Sequence, residues 1–577
     1  MRIALAQMNP TSGDINGNAA RILGSLATAV SRGADLFVTP EMALPGYCIG
    51  DLVEDAGFLE ANELAMQRIA EAARGITAVV GFIDYDPAAR NDSGAIRKYN
   101  AAAVVRDGRV LQRAHKSLLP SYRYFDDKRY FVPATRREPV AIDAAGGPVR
   151  LGVSICEDLW DEFYDVKPLP ELAAKGADIL LNLNASPFYP GKRRERDAMI
   201  RRHIQQLRKP IVYINTAGAA DNGKNIIPFD GESLVYDADG TLLAIGRQFG
   251  EELLVVDLDS GAPATPVPLP PTDRSREIYD ALMMALRDYM RKTGFSRAII
   301  ALSGGIDSAL ALAIAVDALG AAQVAACNMP SRYNSDATKS IAAQLARAFE
   351  VSYSVIPIQT IDDHVRAVFE KHAHPIVNSF TRENLHARIR GLLMMAESND
   401  TGALLISCGN ETEIALGYAT LYGDMCGGIS LIGDLSKLDV YRLARYVNAR
   451  HGSEKIPEEA FQIAPSAELA PGQVDPFDYY VVAPVVGELV ERRRSPADLI
   501  RLFERRGLDS ERFVPDPQGR TVYDKLTTAT FTEVVYDAFH RLRRSVYKRL
   551  QGPPIVAVTE RAFGFDLRET IINGWEG

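Results

Sequence analysis

The sequence predicts an α/β protein built from two domains of different architecture. Strand-like apolar runs recur through the first 260 residues, some separated by stretches of helical period and others meeting at Asp107-Gly108 and Asp239-Gly240. From Arg274 onward, long helices alternate with single strands. That alternation is typical of a doubly wound, Rossmann-like parallel sheet with helices on both faces.

The domain boundary is predicted from length and proline content. A chain of 577 residues is too long for one hydrophobic core. Residues 261–273, GAPATPVPLPPTD, hold five prolines and have no helical period, as expected of an extended linker. We therefore predict domains at 1–260 and 274–577, joined by the linker 261–273.

Helical periodicity and strand-like runs place the individual elements. The front domain has predicted helices at 18–32, 60–74 and 194–207, between runs such as RIALAQ, RLGVSICED and ADILLNLNA. The Asp-Gly pairs predict hairpins. The back domain has predicted helices at 274–293, 307–319 and 338–349, alternating with the strands RAIIALS, AAQVAACNMP and VSYSVIPI.

Composition and charge exclude several classes of protein. A formal charge of −9 argues against general binding to nucleic acids. Five cysteines without metal-ligand spacing fit a reducing cytosol with free thiols. The chain shows no signal segment and no apolar run near the ~20 residues of a membrane span. We expect a cytoplasmic protein that binds neither membranes nor nucleic acids.

The run ALSGGIDSAL in the back domain predicts a phosphate-binding loop. An apolar strand ends at Leu302, two glycines follow, and a helix begins near Asp307. Glycines let backbone N–H groups approach an anion, and the helix N-terminus adds unsatisfied donors. Ser303 and Ser308 can donate hydroxyl hydrogen bonds, and Asp307 can hold Mg²⁺. A plain strand–turn–helix joint is the alternative, and the loop resembles the SGGxDS loop of ATP pyrophosphatases.

Two further segments of the back domain carry candidate site residues. In residues 407–437, Glu413 could share a metal with Asp307, and Lys437 could neutralise a leaving pyrophosphate. In FTRENLHARIRG, Asn384 and Arg388 lie one helical turn apart, so Arg388 could grip a phosphate. Solvated surface charges are the alternative reading, with Glu383 and Arg390 paired on an exposed helix.

Cys156, at the end of an apolar strand in RLGVSICEDLWD, is a candidate nucleophile. A nucleophilic thiol needs a base and a group that stabilises an oxyanion. No Cys/His arrangement is evident, since only His115 lies in a suggestive context. Glu41 and Lys116 could supply the base and the cation without histidine. Spacing alone leaves open that both are solvated loop charges.

The motifs of the back half resemble the NAD⁺ synthetase family over residues 274–577. The resemblance lies in SGGIDS, MPSRYNSDAT, TRENLHARIRG, GNETEIALGYATLYGD, PSAEL and KRLQGPP. It implies that ATP adenylates nicotinate adenine dinucleotide and that ammonia attacks the adenylate. The implied ATP-binding residues are Ser303, Gly304, Gly305, Asp307, Ser308, Cys408 and Lys437; the implied dinucleotide-binding residues are Phe380, Asn384, Arg388, Asp424 and Lys548; and the implied Mg²⁺ ligands are Asp307 and Glu413.

The front half resembles the nitrilase superfamily, in particular the glutaminase domains of glutamine-dependent NAD⁺ synthetases. PEMALPGY, HKSLLP, GVSICEDLW and NLNASPFYPGKRRER carry this resemblance. It implies an α-β-β-α sandwich in which Glu41 is the general base, Lys116 stabilises the oxyanion and Cys156 is the nucleophile. It also implies a glutamine pocket. The two resemblances together imply a sheltered passage for ammonia, and that of the back half implies a homo-oligomeric assembly. The implied pocket residues are Tyr47, Glu157, Ser186 and Lys192.

Four positions depart from the pattern of the family. Cys408 stands where a threonine is usual, Glu411 where many relatives have lysine, Ala342 where aspartate is common and Asp127 where many have glutamate. Three rival functions are weighed: another amidotransferase built on the same loop, an amidase fused to a nucleotide-binding module, and a scaffold with inactive domains. The scaffold predicts loss of Cys156, Asp307 or Glu413, all of which are present.

Overall fold

The structure is a computed structural model that describes residues 1–258, 266–466, 468–470 and 473–575. The chain divides into two compact units, one of Met1–Asn222 with Ile227–Arg274, the other of Gly223–Ile226 with Ser275–Gly577. Of the predicted linker, residues 261–265 lie outside the described residues, and 266–273 are in neither helix nor strand. Among the helices in the described ranges, none combines the length and apolar character that a membrane crossing requires.

The first unit contains two six-stranded sheets. The strands of these two sheets are β1 (Arg2–Gln7), β2 (Leu36–Val38), β3 (Thr77–Arg90), β4 (Ile96–Arg106), β5 (Arg109–His115), β6 (Val140–Ala144), β7 (Gly147–Ile155), β8 (Ile179–Asn184), β9 (Ile211–Asn215), β12 (Leu234–Tyr236), β13 (Leu242–Ile245) and β14 (Glu252–Asp257). The unit also holds β10 (Ala217–Asp221) and most of β11 (Asn225–Asp230), whose first two residues belong to the second unit. Its helices are α1 (Ile15–Ser31), α2 (Ala56–Ala72), α3 (Asp127–Tyr130), α4 (Pro168–Ala174) and α5 (Lys192–Leu207).

The two sheets pack face to face between layers of helix. One sheet has the strand order β14-β1-β2-β3-β4-β5, the other β13-β12-β9-β8-β7-β6. Leu5 and Val38 of the first sheet share a core with Val153 and Leu181 of the second. Helices α4 and α5 cover the outer face of the second sheet in a separate apolar cluster, and α1 and α2 contact β1 and β3. The predicted α-β-β-α sandwich is confirmed.

Both predicted hairpins are present. Arg106 pairs with Arg109 across Asp107-Gly108, where both turn residues have positive φ, 50° and 79°. That backbone is the one a two-residue hairpin needs, and Asp-Gly favours it. Strands β12 and β13 also pair antiparallel on either side of Asp239-Gly240, where a longer loop joins Tyr236 to its partner Leu242 and Gly240 has φ 86°.

The second unit contains a parallel sheet in the strand order β20-β19-β18-β15-β16-β17. Its strands are β15 (Ala298–Ala301), β16 (Val324–Asn328), β17 (Ser352–Val355), β18 (Leu404–Ser407), β19 (Ile429–Ser430) and β20 (Ile555–Val556). Its helices are α6 (Arg274–Thr293), α7 (Ile306–Leu319), α8 (Asp336–Ala348), α9 (Gln359–Lys371), α10 (Ser379–Thr401), α11 (Glu411–Leu416), α12 (Lys437–His451), α13 (Glu458–Gln462), α14 (Tyr479–Val490), α15 (Pro496–Glu504), α16 (Val522–Lys525), α17 (Thr528–Arg544) and α18 (Val546–Arg549).

Helices cover the sheet of the second unit on both faces. Ile299 of β15 shares an apolar cluster with Ile389 and Met394 of α10. Its neighbour Ile300 is also fully buried and points to the opposite face, where α7 packs on β15 and β16. The predicted doubly wound, Rossmann-like sheet is confirmed.

Several helices begin earlier than their periodicity predicts, because polar caps extend them. Helix α1 begins at Ile15 after Asp14, whose carboxylate accepts from the Gly17 N–H. Asp55 starts α2 and Ser335 starts α8 in the same way. These side chains satisfy N–H groups that the first helical turn leaves unpaired.

Candidate active sites

Cys156 lies in a strained turn at the end of strand β7. The strand ends at Ile155, and Cys156 opens a 3-10 turn over Cys156–Leu159. Its φ is 47°, in the left-handed region that non-glycine residues rarely adopt, and its side chain is buried. Such a conformation costs on the order of 1–3 kcal/mol and is concentrated at functional sites. The fold thus holds this thiol in a conformation that its own backbone disfavours.

Lys116 joins the predicted base to a second carboxylate. Its ammonium donates to Glu41 Oε1 at 2.7 Å and to Asp127 Oδ2 at 2.6 Å. Lys116 and Glu41 are fully buried, and Asp127 is nearly so. The two carboxylates hold the pKa of the Lys116 ammonium well above its usual range despite burial, so the group stays charged. The structure therefore brings Glu41 and Lys116 together as a buried ion pair, which excludes the reading as solvated loop charges.

Asn100 and the Ala185 backbone fix the orientation of Glu41. Asn100 Nδ2 donates to Glu41 Oε1 at 2.7 Å, and the Ala185 N–H donates to Oε2 at 2.8 Å. Burial raises the pKa of the Cys156 thiol well above its ordinary value, Glu41 raises it further, and Lys116 lowers it. The thiol therefore rests protonated and needs a base such as Glu41 before it can attack.

Asp127 reaches the cluster although its side chain is one methylene shorter than glutamate. Besides Lys116, it accepts a hydrogen bond from the Tyr47 hydroxyl at 3.1 Å. Tyr47 is thereby placed beside the cluster. The shorter aspartate side chain therefore still makes the contact with Lys116.

Glu157 and Lys192 occupy a polar, aromatic surround next to Cys156. Glu157 accepts from the hydroxyls of Tyr122 at 2.9 Å and Tyr164 at 2.8 Å. Burial raises the pKa of Glu157. The Lys192 ammonium lies 3.8 Å from the centroid of the Trp160 ring. A carboxylate and an ammonium are thus placed close to the Cys156 thiol.

Two other residues named from the sequence have supporting positions. Ser186 is buried, and its N–H donates to Asn215 Oδ1 at 2.9 Å. His115 lies 2.7 Å from Asp84 and stacks on Tyr99 with a centroid distance of 4.0 Å. It therefore takes part in a separate polar cluster, in agreement with the absence of a Cys/His arrangement in the sequence.

Lys192 leads to a prediction on pH. Burial lowers the pKa of its ammonium to about 8. The resemblance implies that this ammonium binds the carboxylate of glutamine; its charge is present below about pH 8 and is lost above it. We expect KM for glutamine to rise about tenfold per pH unit above that point. Steady-state kinetics from pH 7 to 10 measure this.

The matched control for that experiment is Lys192→Arg, whose charge persists through the range. Glutamine's own amino group titrates in both enzymes and cancels in the comparison. Parallel KM profiles for the two proteins would exclude Lys192 as the titrating group.

The predicted phosphate loop has the close backbone packing that its glycines allow. Gly304 has φ 92°, and a Cβ there would lie 2.2 Å from the Thr338 carbonyl oxygen, so only glycine fits. Ser308 Oγ donates to the Gly305 carbonyl at 2.9 Å and lies 3.2 Å from Ser303 Oγ. Helix α7 begins directly after Gly305, which directs its N-terminus at the loop.

Asp307, Glu413 and Lys437 meet beside this loop. Lys437 Nζ lies 2.6 Å from Asp307 Oδ2 and 3.3 Å from Glu413 Oε1. Asn410 Nδ2 donates to the other oxygen of Asp307 at 2.8 Å. Burial raises the pKa of Glu413 to about 7; Lys437 lowers it and Asp307 raises it. Asp307 and Glu413 therefore share one ammonium, and the negative charge of Asp307 disfavours ionisation of Glu413.

A cavity of about 300 Å³ opens onto the loop and the carboxylates. It is lined by predicted residues from three segments, Ser303, Gly305, Asp307, Ser308, Cys408, Glu413, Asp424 and Lys437. The structure thus gathers most of the predicted ATP-binding set, together with Asp424, around one space of ligand size.

Three of the four remaining dinucleotide candidates contact the segment 417–424. Asn384 accepts from Thr420 Oγ1 at 2.7 Å, and Arg388 donates to the Leu421 carbonyl at 3.2 Å. Lys548 donates to the carbonyls of Gly417 and Ala419, both at 2.8 Å. Phe380 is exposed on α10. These contacts hold the segment that carries Asp424 into the cavity.

Arg390 was missed as a site residue, and its suggested surface pairing with Glu383 is wrong. It donates to the Met329 carbonyl at 3.0 Å and to Asn334 Oδ1 at 3.1 Å, and it lines the cavity. Burial lowers its pKa to about 10. The sequence signal was weak, because helical position alone does not distinguish Arg388 from Arg390.

Of the three other departures from the family pattern, Ala342 and Glu411 are buried and Cys408 is partly buried. Cys408 lines the cavity, and burial raises the pKa of its thiol to about 12. Ala342 is fully buried beside Gly304. Glu411 is also buried, and within the described ranges neither of its carboxylate oxygens has a hydrogen-bond partner. A buried, unpaired carboxylate is costly, so its pKa lies well above the usual value.

Comparisons with known proteins agree with the two sites. A family model described as carbon-nitrogen hydrolase matches residues 2–265, and one described as NAD synthase matches residues 278–511. The fold and sites therefore define an amide hydrolase joined to an NAD synthase.

Full-length relatives narrow the assignment. The chain is 36% identical to a glutamine-dependent NAD(+) synthetase of Thermotoga maritima, over 99% of this chain and 98% of that protein. It is 37% identical to one from Synechocystis, over 99% of each. The solved structure of glutamine-dependent NAD+ synthetase from Acinetobacter baumannii in complex with ADP is 33% identical, covers 100% and 98% of the two chains, and has a TM-score of 0.73. The chain belongs to the family of glutamine-dependent NAD⁺ synthetases, which confirms the resemblance.

Proposed function

We propose that this enzyme hydrolyses glutamine at Cys156 and uses the ammonia to convert nicotinate adenine dinucleotide to NAD⁺ at the expense of ATP. The observation that carries the proposal is the joint presence of a buried Glu41–Lys116 pair beside Cys156 and a phosphate-loop cavity with Asp307, Glu413 and Lys437. Residues 1–260 are assigned to the glutaminase, 261–273 to the linker and 274–577 to the synthetase.

The glutaminase step begins with a proton transfer. Glu41 accepts the proton of the Cys156 thiol, and the thiolate sulfur attacks the amide carbon of glutamine. Lys116 stabilises the oxyanion of the tetrahedral intermediate. Glu41 then returns the proton to the leaving nitrogen, ammonia departs, and water hydrolyses the thioester to release glutamate. Tyr47, Glu157, Ser186 and Lys192 form the glutamine pocket.

The synthetase step takes place in the cavity of the second unit. The dinucleotide carboxylate attacks the α-phosphorus of ATP, pyrophosphate leaves, and ammonia then displaces AMP from the acyl-adenylate. The helix α7 N-terminus, Ser303, Gly304, Gly305 and Ser308 bind phosphates. Lys437 neutralises the charge that develops on pyrophosphate. Cys408 contributes to the nucleotide wall, and Phe380, Asn384, Arg388, Asp424 and Lys548 bind the dinucleotide.

Asp307 and Glu413 are suited to hold Mg²⁺ with the nucleotide. The described residues contain no group of three or more His, Cys, Asp or Glu side chains placed to hold a metal ion by themselves. Mg²⁺ usually takes one or two carboxylates plus substrate phosphates, so the pair fits it. When bound, Mg²⁺ supplies charge neutralisation on the phosphates. The observation that supports the fit is geometric: Asp307 and Glu413 lie 2.6 and 3.3 Å from the same Lys437 ammonium, so both carboxylates face one point beside the loop.

The coupling of the two reactions has a chemical reason. Ammonia is largely protonated near neutral pH, and an acyl-adenylate is readily hydrolysed. A sheltered passage between the two reactions avoids both losses. We further propose that the enzyme acts in the cytoplasm as a homo-oligomer, on the strength of the family resemblance.

Assays of NAD⁺ formation from nicotinate adenine dinucleotide and ATP, with glutamine or ammonium as nitrogen source, test the proposal. The wild-type enzyme should use both. Cys156→Ala should lose synthesis from glutamine and keep synthesis from ammonium. Absence of NAD⁺ from the wild-type protein, or equal loss of both activities in a folded Cys156→Ala protein, would overturn the assignment.

A further inference from the structure

Asp158, two residues after the nucleophile, has no role in the reaction above, yet it joins two parts of the site. Its side chain is 1% exposed. Oδ2 accepts from the N–H of Ile155 at 3.0 Å, directly before Cys156. Oδ1 accepts from the N–H groups of Ser117 at 3.0 Å and Leu118 at 2.8 Å, directly after Lys116.

We propose that Asp158 is a positioning residue that sets the geometry between the Cys156 thiol and the Lys116 ammonium. This inference rests on the proposed glutaminase step. The Asp158 carboxylate holds the backbone directly before Cys156 and directly after Lys116. Neither backbone segment can move without breaking a hydrogen bond to Asp158. Burial raises the pKa of Asp158 to about 7, so above that pH the ionised carboxylate makes charge-assisted bonds about twice as strong as neutral ones.

A purely local role does not account for these contacts. Asp158 caps the 3-10 turn that Cys156 opens, and the bond to Ile155 is enough for that. The bonds to Ser117 and Leu118 bridge 41 and 40 residues of sequence and add nothing to the cap. They do hold the segment of Lys116 against a turn whose nucleophile has φ 47°. A strained turn relaxes unless its surroundings restrain it.

Asparagine at this position breaks the bridge between the two segments at the Ile155 end. It is isosteric and keeps one carbonyl oxygen, which can still accept from Ser117 and Leu118. The new amide then points its N–H groups at the Ile155 N–H, so donor faces donor and that tie is lost. The charge that strengthens the other two bonds is lost as well.

The test is Asp158→Asn in the full-length enzyme, with three measurements. We expect kcat for glutamine hydrolysis to fall about 100-fold, as a displacement of about 1 Å produces, with KM within twofold. Ammonium-driven NAD⁺ formation should stay at the wild-type rate. Alkylation of Cys156 by iodoacetamide should slow about tenfold, since Lys116 is the group that lowers the pKa of this thiol.

Asp178→Asn is the matched control. Asp178 also accepts a backbone N–H bond, from Arg150 at 2.9 Å, and so ties β7 to β8 at the ends of these strands remote from Cys156. It should retain wild-type values in all three measurements. If Asp158→Asn does not fold, Asp158→Glu keeps the charge while displacing the acceptor by one methylene, and the same losses are expected.

Two results would overturn the proposal: a kcat within threefold of wild type in the Asp158 variants, or equal losses in Asp178→Asn. The alkylation assay does not depend on turnover. It therefore tests the positioning role of Asp158 independently of the proposed reaction. A wild-type enzyme that fails to hydrolyse glutamine would refute the proposed function, whereas unchanged alkylation in the Asp158 variants would refute the positioning role.

Discussion

Lys116→Met is expected to reduce glutamine-driven NAD⁺ formation by about 100- to 1000-fold while ammonium-driven formation continues. The change removes the cation beside the developing oxyanion, and loss of one such group has an effect of this size. Methionine preserves most of the side-chain volume, so the loss reports charge and hydrogen bonding. Parallel assays with the two nitrogen sources measure it.

The same substitution should destabilise the first unit. Glu41 and Asp127 would remain buried without the ammonium between them, and breaking a buried ion pair costs about 3–5 kcal/mol. Thermal unfolding should show a lowered Tm. Lys175→Met is the control, because it breaks a partly exposed pair with Glu171 and should change neither property. Ammonium-driven synthesis lost in step with glutamine-driven synthesis would show that Lys116 is not confined to the glutaminase.

Asp307→Asn is expected to abolish synthesis from both nitrogen sources. Asp307 faces Lys437 and Asn410 and is one of the two carboxylates proposed for Mg²⁺. Loss of its charge should weaken metal and phosphate binding by about 4 kcal/mol, which is roughly a 1000-fold loss of rate. Pyrophosphate release and a Mg²⁺ titration of activity measure the two parts of the effect.

Asp336→Asn is the control for this experiment. Asp336 is a fully exposed acidic residue at the start of α8, paired with Lys339 at 3.2 Å. It should leave the activity and the Mg²⁺ dependence unchanged. The Asp307 assignment fails if Asp307→Asn forms NAD⁺ from ammonium at more than a tenth of the wild-type rate.

The phosphate loop could be predicted from the sequence because its residues are neighbours in the chain. The two glycines, the serines and the start of α7 are contiguous, so their geometry follows from adjacent residues. The sequence could not show why position 304 requires glycine. A Cβ there would collide with the carbonyl oxygen of Thr338, thirty-four positions away. Lys437 likewise meets Asp307 across 130 positions.

The glutaminase cluster shows the same limit. Motif resemblance named Glu41, Lys116 and Cys156, but hydrogen-bond partners such as Asn100 had no signal beyond a polar residue in an apolar strand. The shorter Asp127 could not be judged from its length, since its reach depends on where α3 places its backbone. Side-chain contacts across the fold depend on packing that a single sequence does not display.

At Cys156, the residue that the reaction requires is not the residue that best stabilises the left-handed backbone. Glycine adopts φ 47° without a steric penalty, so a glycine there would relieve strain that every other side chain must bear. The most favourable residue for this turn is therefore one that cannot react. The cysteine therefore lowers the stability of the fold. Replacing it by glycine would raise the thermal stability and inactivate the glutaminase.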